Sequence, residues 1–236
     1  PCKISNSRIG LLRRNDTMYT IKDMYDLNET IAAELFKDKK YPWEVLGEIS
    51  DFIMKLGPSL PKDEFDHPAE DIWIHKSVTI AKTATLKGPL IIDADTEVRP
   101  GAFIRGKAIV GKKCVVGNST ELKNVVLFNV VQVPHYNYVG DSILGTHSHM
   151  GAGSITSNVK SDKTLVIVKD GNEEIPTGLK KFGAMLADYV EVGCNSVLNP
   201  GTVIGRNCNI YPLSSVRGVI PQGHIFKDAK NIVEKY

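Results

Sequence analysis

An aliphatic residue recurs at every sixth position along much of the chain, and this repeat restricts the fold more than any other feature of the sequence. A period of six matches neither the 3.6 residues of a helical turn nor the alternation of a simple strand. The first run comprises Ile74, Ile80, Leu86, Ile92, Val98, Ile104, Val110, Val116 and Leu122. After an interruption, the second run comprises Leu186, Val192, Leu198, Ile204, Ile210 and Val216.

A second track of small or β-branched residues lies two positions before each aliphatic residue, as at Ala84, Ala102 and Ala108. One large and one small inward side chain in every six residues fit a short strand followed by a tight turn. Three such sides make a triangular coil of about 18 residues, and stacked coils bury both tracks. The repeat therefore predicts a mainly β protein, with a parallel β-helix over residues 71–220.

The parts of the chain outside the repeat are predicted to form three further elements. Apolar residues recur with helical spacing over residues 21–36 and 43–54, which predicts two helices in an α-helical cap at 1–70. Residues 159–181 interrupt the repeat, and Asp170-Gly171 between two apolar runs predicts an inserted β-hairpin. Residues 221–236 are predicted to leave the repeat as a C-terminal arm or short helix.

Composition and charge argue against several classes of function. A formal net charge of +2 gives no electrostatic reason to expect nucleic acid or a membrane surface as a partner. No run approaches the roughly 20 apolar residues of a membrane span, and no secretory signal is visible. The four cysteines are Cys2, Cys114, Cys194 and Cys208, and they lack the spacing of metal ligands. They are therefore predicted to be free thiols in a cytoplasmic protein. All but Cys2 are assigned to the inward track of small residues.

The most irregular part of the repeat, residues 118–158, carries the candidate chemistry. It contains Glu-Leu-Lys at 121–123, Pro-His-Tyr-Asn-Tyr-Val-Gly-Asp at 134–141 and Gly-Ala-Gly-Ser-Ile-Thr-Ser-Asn at 151–158. In order and spacing these motifs resemble the acetyltransferase half of the bifunctional N-acetylglucosamine-1-phosphate uridylyltransferase/glucosamine-1-phosphate acetyltransferases. A looser hexapeptide similarity covers residues 70–220, and the run at 176–184 resembles sugar-phosphate nucleotidylyltransferases that end in a β-helix.

This resemblance implies a left-handed β-helix and an acetyl-CoA-dependent N-acetyltransferase acting on an amino-sugar phosphate such as glucosamine-1-phosphate. It also implies a homotrimer with active sites between adjacent prisms, and acetyl transfer that requires no metal. His135 would be the general base, since imidazole titrates near neutral pH and can accept the proton that a sugar amine loses. The implied substrate-binding residues are Arg105, Lys123, Tyr138, His149 and Asn158. The implied cofactor-binding residues are Ala152, Cys194 and Pro212.

The chain departs from the family pattern at three of these positions. His149 stands where the family usually carries Asn, Cys194 where it carries Ser, and Pro212 where it carries a small residue. The exact sugar and the exact acyl group therefore stay open.

Three other functions are compatible with parts of the sequence. A uridylyltransferase needs a nucleotide-binding α/β domain with a Gly-rich phosphate loop, which residues 1–70 lack, so none of this activity is expected from the chain alone. A metal enzyme of the γ-carbonic anhydrase type would use His135, His147 and His149, although the last two are spaced more tightly than in that family. A non-catalytic trimeric scaffold, partnering a nucleotidylyltransferase, would dock through the amphipathic faces of the cap.

Overall fold

The chain winds as a parallel β-helix with three faces, in a computed structural model that describes residues 19–236. Strands on each face pair in parallel with the strands one coil before and one coil after, so the backbone hydrogen bonds run from coil to coil. The predicted fold class is confirmed. Cys2 and the beginning of the predicted cap lie outside the described residues.

Each face is a stack of short strands. Face 1 comprises β2 (Ile72–His75), β5 (Leu90–Ile92), β8 (Ala108–Val110), the end of β10 (Glu121–Leu127), the end of β12 (Tyr138–Leu144), β17 (Ala184–Leu186), β20 (Thr202–Ile204) and β23 (Val219–Ile220). Face 2 comprises β3 (Thr79–Ile80), β6 (Glu97–Val98), β9 (Val115–Asn118), β11 (Gln132–His135), β13 (His149–Met150), β18 (Glu191–Val192), β21 (Asn209–Ile210) and β24 (His224–Asp228). Face 3 comprises β4 (Thr85–Leu86), β7 (Phe103–Ile104), the starts of β10 and β12, β14 (Ile155–Thr156), β19 (Val197–Leu198) and β22 (Ser215–Val216).

Antiparallel pairs occur at both ends of the prism and at the insertion. Near the start, β1 (Phe65–Ala69) pairs with β2. Within the interruption of the repeat, β15 (Ile167–Asp170) pairs with β16 (Glu173–Pro176). At the end, β24 pairs in parallel with β21 and antiparallel with β25 (Asn231–Glu234), so this segment is a hairpin stacked on the last coil and not a helix. The predicted domain boundaries themselves stay a prediction.

The register of the strands explains why the six-residue pattern weakens after Leu122. The step from Leu90 to its partner Ala108 has the full coil length, but the next two steps on the same face, to Val125 and then to Ser142, are each shorter by a single residue. Over these two coils the inward-facing residues therefore no longer recur at a strict interval of six residues. The following step, from Ile143 to Met185, is more than twice as long because it contains the hairpin β15–β16.

Corners of the prism turn through residues in the left-handed backbone region, where φ is positive. A sharp turn in so few residues uses this conformation, which costs an ordinary L-residue about 1–2 kcal/mol. At the corner between faces 2 and 3, φ lies between 51° and 72° at Gly101, Ser119, Tyr136, Gly153, Asn195 and Leu213. Residues with very different side chains therefore adopt the corner conformation, whereas the inward tracks accept only aliphatic or small residues.

The N-terminal segment contains two short α-helices, α1 (Ile21–Met24) and α2 (Ile49–Leu56), and four 3-10 turns within the described residues. The predicted continuous helix over 21–36 is wrong, because Tyr25 is extended and ends α1, and the Asp26 side chain then caps a separate turn by accepting a hydrogen bond from Asn28 N. The second predicted helix begins later than expected, because Pro42 opens a 3-10 turn that precedes α2. None of the helices within residues 19–236 is long and apolar enough to cross a membrane.

This segment packs over face 1. Side chains in the middle of a strand point away from the prism interior, yet on face 1 they are apolar and fully buried; they are Ile91, Ile109, Val126, Ile143, Met185 and Val203. Helix α2 lies against β8 and β10, and the rings of Tyr25 and Phe128 stack with their centroids 5.0 Å apart. Equivalent side chains on face 2, such as Glu97 and Glu191, are exposed. Most of the apolar surface of residues 19–70 is therefore covered by the prism, which leaves little of the docking surface that the scaffold hypothesis used.

A buried carboxylate fixes the segment at the corner between faces 1 and 2. Asp188 is 1% exposed and accepts hydrogen bonds from Asp26 N at 2.8 Å and Thr146 N at 3.0 Å. Its Oδ2 also lies 3.1 Å from the Arg206 guanidinium, and Arg206 Nε donates to Met24 O. Burial raises the pKa of Asp188, and these donors oppose the rise.

Candidate functional site

Four of the candidate residues stack along the corner between faces 2 and 3, and we call them the site column: His135, Ala152, Cys194 and Pro212. Backbone hydrogen bonds tie one coil to the next here, from Gly153 N to His135 O at 3.0 Å, from Asn195 N to Ala152 O at 2.8 Å and from Leu213 N to Cys194 O at 2.9 Å. Successive members therefore lie one strand spacing apart, about 4.8 Å. His135, Cys194 and Pro212 are exposed, so the column is open along its length.

The exposure of Cys194 corrects one prediction. Cys194 lies at the corner, and the inward residue of its coil is the fully buried Ser196, so its assignment to the inward track is wrong. Cys114 and Cys208 are buried as predicted, and each donates its S–H to a backbone carbonyl. Burial raises the pKa of Cys114 to about 12 and that of Cys208 to about 11, so both thiols stay protonated and unreactive.

The candidate phosphate-binding residues lie at the opposite edge of face 3. Arg105 directly follows β7, and its N–H donates to Leu122 O at 2.8 Å, which places Lys123 one coil further along the same corner. Tyr138 begins β12 on the same face, and its hydroxyl accepts a hydrogen bond of 3.1 Å from the Asn158 side chain. The structure thus brings Arg105 beside Lys123 and Tyr138 beside Asn158 on one face.

Asp141 joins these residues, and sequence reasoning missed it although it ends the motif at 134–141. It is 5% exposed, and its Oδ2 accepts a hydrogen bond of 2.5 Å from Asn158 and lies 3.5 Å from Lys123 Nζ. Its Oδ1 accepts a hydrogen bond of 2.9 Å from Asn124. We call Arg105, Lys123, Tyr138, Asp141 and Asn158 the polar cluster. The only signal in the sequence was its place at the end of that motif; the burial that makes a carboxylate need cationic or amide partners is visible only in the structure.

Two acidic groups set the electrostatics of the polar cluster. Arg105 pairs with Glu121 at 2.6 Å, and the hydrogen bond and charge of Glu121 raise the pKa of Arg105. Burial raises the pKa of Tyr138, and the charges of Asp141 and Glu121 raise it further. Tyr138 therefore keeps its proton at neutral pH and has an O–H to donate to a ligand while it accepts from Asn158.

The remaining candidate, His149, lies apart from both groups. It occupies the middle of face 2, where its Nδ1 lies 2.9 Å from Glu191 Oε2. His147 is at the corner between faces 1 and 2 and stacks on Tyr189 with ring centroids 5.0 Å apart. His135, His147 and His149 thus occupy three different places, and residues 19–236 contain no group of three His, Cys, Asp or Glu side chains arranged to hold a metal ion.

The fold defines the class of the protein: a hexapeptide-repeat parallel β-helix, in which the candidate residues lie at the two edges of one face. Residues 86–171 match the family model of the GMPPB C-terminal domain. A bifunctional sugar-1-phosphate nucleotidylyltransferase/acetyltransferase of Sulfurisphaera tokodaii is 31% identical over 243 residues, which cover 92% of this chain and 60% of that protein. The bifunctional protein GlmU of Methanococcus maripaludis is 30% identical over 218 residues, which cover 87% of this chain and 53% of that protein.

The predicted resemblance is confirmed: the chain is similar in sequence to the GlmU-type bifunctional sugar-1-phosphate nucleotidylyltransferase/acetyltransferases. It spans 53–60% of the length of these two curated relatives. Among solved structures, WeeI from Acinetobacter baumannii aligns with a TM-score of 0.35 and 15% identity, covering 75% of this chain and 62% of that one.

Proposed function

We propose that the chain is an acetyl-CoA-dependent N-acetyltransferase that acts on an amino-sugar phosphate such as glucosamine-1-phosphate. The observation that carries this proposal is the position of His135. It lies exposed at the head of the site column, on one edge of face 3, and the polar cluster occupies the other edge. A candidate base, an exposed row of corner residues for a long cofactor and a pair of cations for an anion therefore flank a single face.

The proposed acceptor is a phosphorylated amino sugar because the polar cluster offers the chemistry to hold one. Arg105 and Lys123 present two cations from adjacent coils, which suits a dianionic phosphate. Glu121 is the partner that the phosphate would replace on Arg105. Tyr138 and Asn158 supply an O–H donor and an amide for the sugar hydroxyls.

In the proposed reaction, the amine nitrogen of the sugar attacks the thioester carbonyl carbon of acetyl-CoA. His135 accepts the proton that the nitrogen loses as the N–C bond forms. The C–S bond then breaks, coenzyme A leaves as the thiol after taking up a proton, and the product is the N-acetylated sugar phosphate. Backbone N–H groups of the coils would stabilise the developing oxyanion.

Ala152, Cys194 and Pro212 are proposed to line the path of the pantetheine arm, because they continue the column from His135 coil by coil. This path is open in a single chain, so a neighbouring prism is needed to enclose it. Residues 19–70 leave faces 2 and 3 uncovered, and we propose that these faces meet neighbours in a homotrimer. His149, paired with Glu191, would lie beside this path on face 2.

The proposed function is tested by coenzyme A release from acetyl-CoA in the presence of glucosamine-1-phosphate. Turnover is expected with this substrate and with related amino-sugar phosphates, such as galactosamine-1-phosphate. N-acetylglucosamine-1-phosphate, which has the phosphate but no free amine, is the matched control and should release no coenzyme A. Absence of turnover with every amino-sugar phosphate and with UDP-linked amino sugars would refute the proposal.

Asp141→Asn is expected to raise KM for the sugar phosphate by about tenfold or more. The substituted amide would place an N–H₂ group or a weaker acceptor against Asn158 and Lys123, and one lost charge-assisted hydrogen bond is worth about 1.5–3 kcal/mol. Steady-state kinetics should show the change in KM for the sugar phosphate, with KM for acetyl-CoA unchanged. The control is Asp93→Asn, which replaces another buried aspartate at a different corner and should leave KM for the sugar phosphate unchanged. The proposed role of Asp141 is to hold Lys123 and Asn158 in place for the sugar phosphate, and a loss confined to kcat would contradict it.

A further inference from the structure

A cavity of about 450 Å³ lies beneath the hairpin β15–β16, against the corner that joins faces 3 and 1 in the last coils. One wall of the cavity is formed by the insertion that contains the hairpin, and the other is formed by the last coils of the prism. Apart from glycines, the lining residues are Lys160, Ile167, Lys169, Pro200, Arg217 and Val219. The volume falls within the roughly 300–1,000 Å³ typical of small-molecule sites.

The hairpin is seated closely on this corner. A Cβ built on Gly201 would lie 2.9 Å from a Val166 side-chain carbon, and a Cβ built on Gly218 would lie 2.8 Å from Lys169 O. Both glycines have positive φ, of 85° and 71°. The cavity is therefore bounded by two backbones in direct contact, and its shape is set by the way the insertion folds back on the prism.

Three cations converge on the cavity. Lys169 pairs with Glu174 at 2.6 Å and Lys160 with Asp162 at 3.3 Å, and the four side chains are between 35% and 64% exposed. Exposed pairs of this kind hold their partners weakly and exchange them readily for a stronger anion. Within residues 19–236 the Arg217 guanidinium makes no hydrogen bond or ion pair.

The phosphate-binding end of the cavity, at Arg217, lies far from Lys123, although Lys160 in the cavity wall follows Asn158 of the polar cluster by two residues. Arg217 and Lys123 lie at the same corner but four coils apart. The strand pairings that separate them run from Leu122 to Val139, then to β14, to β19 and to Val216. Four strand spacings amount to about 19 Å along the prism. A phosphate held by Lys123 therefore cannot also reach Arg217.

We propose that this cavity binds a small phosphorylated organic molecule at a second site, distinct from the acetyl-transfer site. Arg217 holds the phosphate through its two parallel N–H donors, and Lys169 and Lys160 neutralise the remaining charge from the hairpin side. Ile167, Pro200 and Val219 form an apolar wall for the carbon skeleton. The assignment does not depend on the proposed acetyltransferase activity.

The test measures binding of glucose-1-phosphate, which has no amine to acetylate, to the full chain by calorimetry. Arg105→Gln/Lys123→Gln is the background, because it removes the phosphate-binding residues of the polar cluster. Saturable binding is expected to remain in this background and to weaken at least tenfold when Arg217→Gln is added. Lys169→Gln, from the opposite wall, should weaken binding independently. Arg99→Gln, a surface arginine paired with Glu97 at another corner, is the matched control and should change nothing.

Two results would overturn the proposal. One is the absence of saturable binding in the Arg105→Gln/Lys123→Gln background, and the other is binding that Arg217→Gln leaves unchanged. Inorganic phosphate is titrated alongside to identify the source of the phosphate group. Tighter binding of glucose-1-phosphate supports an organic ligand, whereas equal affinity refutes that part of the proposal. Since exposed charges are screened by salt, all titrations use one fixed ionic strength.

Discussion

His135→Ala is expected to lower kcat for acetyl transfer by about 100- to 10,000-fold, the range that a positioned general base contributes. The imidazole is exposed at the head of the site column, so its removal leaves no buried group without a partner and should not unfold the chain. Coenzyme A release, followed continuously with a thiol reagent, measures the loss. Because the corner is open, added imidazole is expected to restore part of the rate.

The matched control for this substitution is His147→Ala. His147 is also an exposed corner histidine, but it lies between faces 1 and 2 and stacks on Tyr189. The His147→Ala variant should retain the activity of the unsubstituted chain. If both variants lose activity equally, or if His135→Ala keeps it, then His135 is not the base.

Phe128→Ala is expected to destabilise the protein by about 3–5 kcal/mol, the usual cost of truncating a fully buried phenylalanine. Its ring is 0% exposed and contacts Tyr25 at 5.0 Å and Phe36 at 5.5 Å between centroids. The substitution therefore leaves a cavity and also removes the aromatic contacts that join the N-terminal segment to face 1. Urea unfolding followed by circular dichroism should show the lower midpoint.

Phe103→Ala is the comparison for this loss of stability. Phe103 is half-buried on face 3, which residues 19–70 do not cover, and Lys87 Nζ lies 5.5 Å from its ring centroid. The expected loss of stability is about 1 kcal/mol, typical for a side chain that is not enclosed. Equal losses in the two variants would show that the packing over face 1 does not contribute the stability assigned to it.

Inward packing made the architecture predictable from the sequence. A coil must place a large and a small side chain inside at each step, so Ile92, Val98 and Ile104 repeat at a strict interval. The N-terminal segment was less predictable, because its helices are short and its ends depend on single residues such as Asp26 and Pro42. The sequence also contains a signal for the covered face, because the outward residues of face 1, such as Ile91 and Ile109, are apolar.

The candidate site was only partly predictable, for a physical reason. Residues separated by one full coil, such as Arg105 and Lys123, become neighbours by the coil length alone, and their proximity follows from the repeat. Asp141 and Asn158 are brought together across one of the shortened coils, and their contact depends on which side chains the corner buries. The pairing of His149 with Glu191 spans the insertion, so no local pattern indicates it.

The coil that the hairpin β15–β16 lengthens shows how this architecture tolerates growth. Each coil touches only the coil before it and the coil after it, so extra chain that leaves and returns at one corner alters no pairing elsewhere. Closing a longer loop costs little additional entropy, since each doubling of length adds about 0.6 kcal/mol. A protein built in this way can acquire a new surface through a single insertion event, while every older contact along the prism is inherited unchanged.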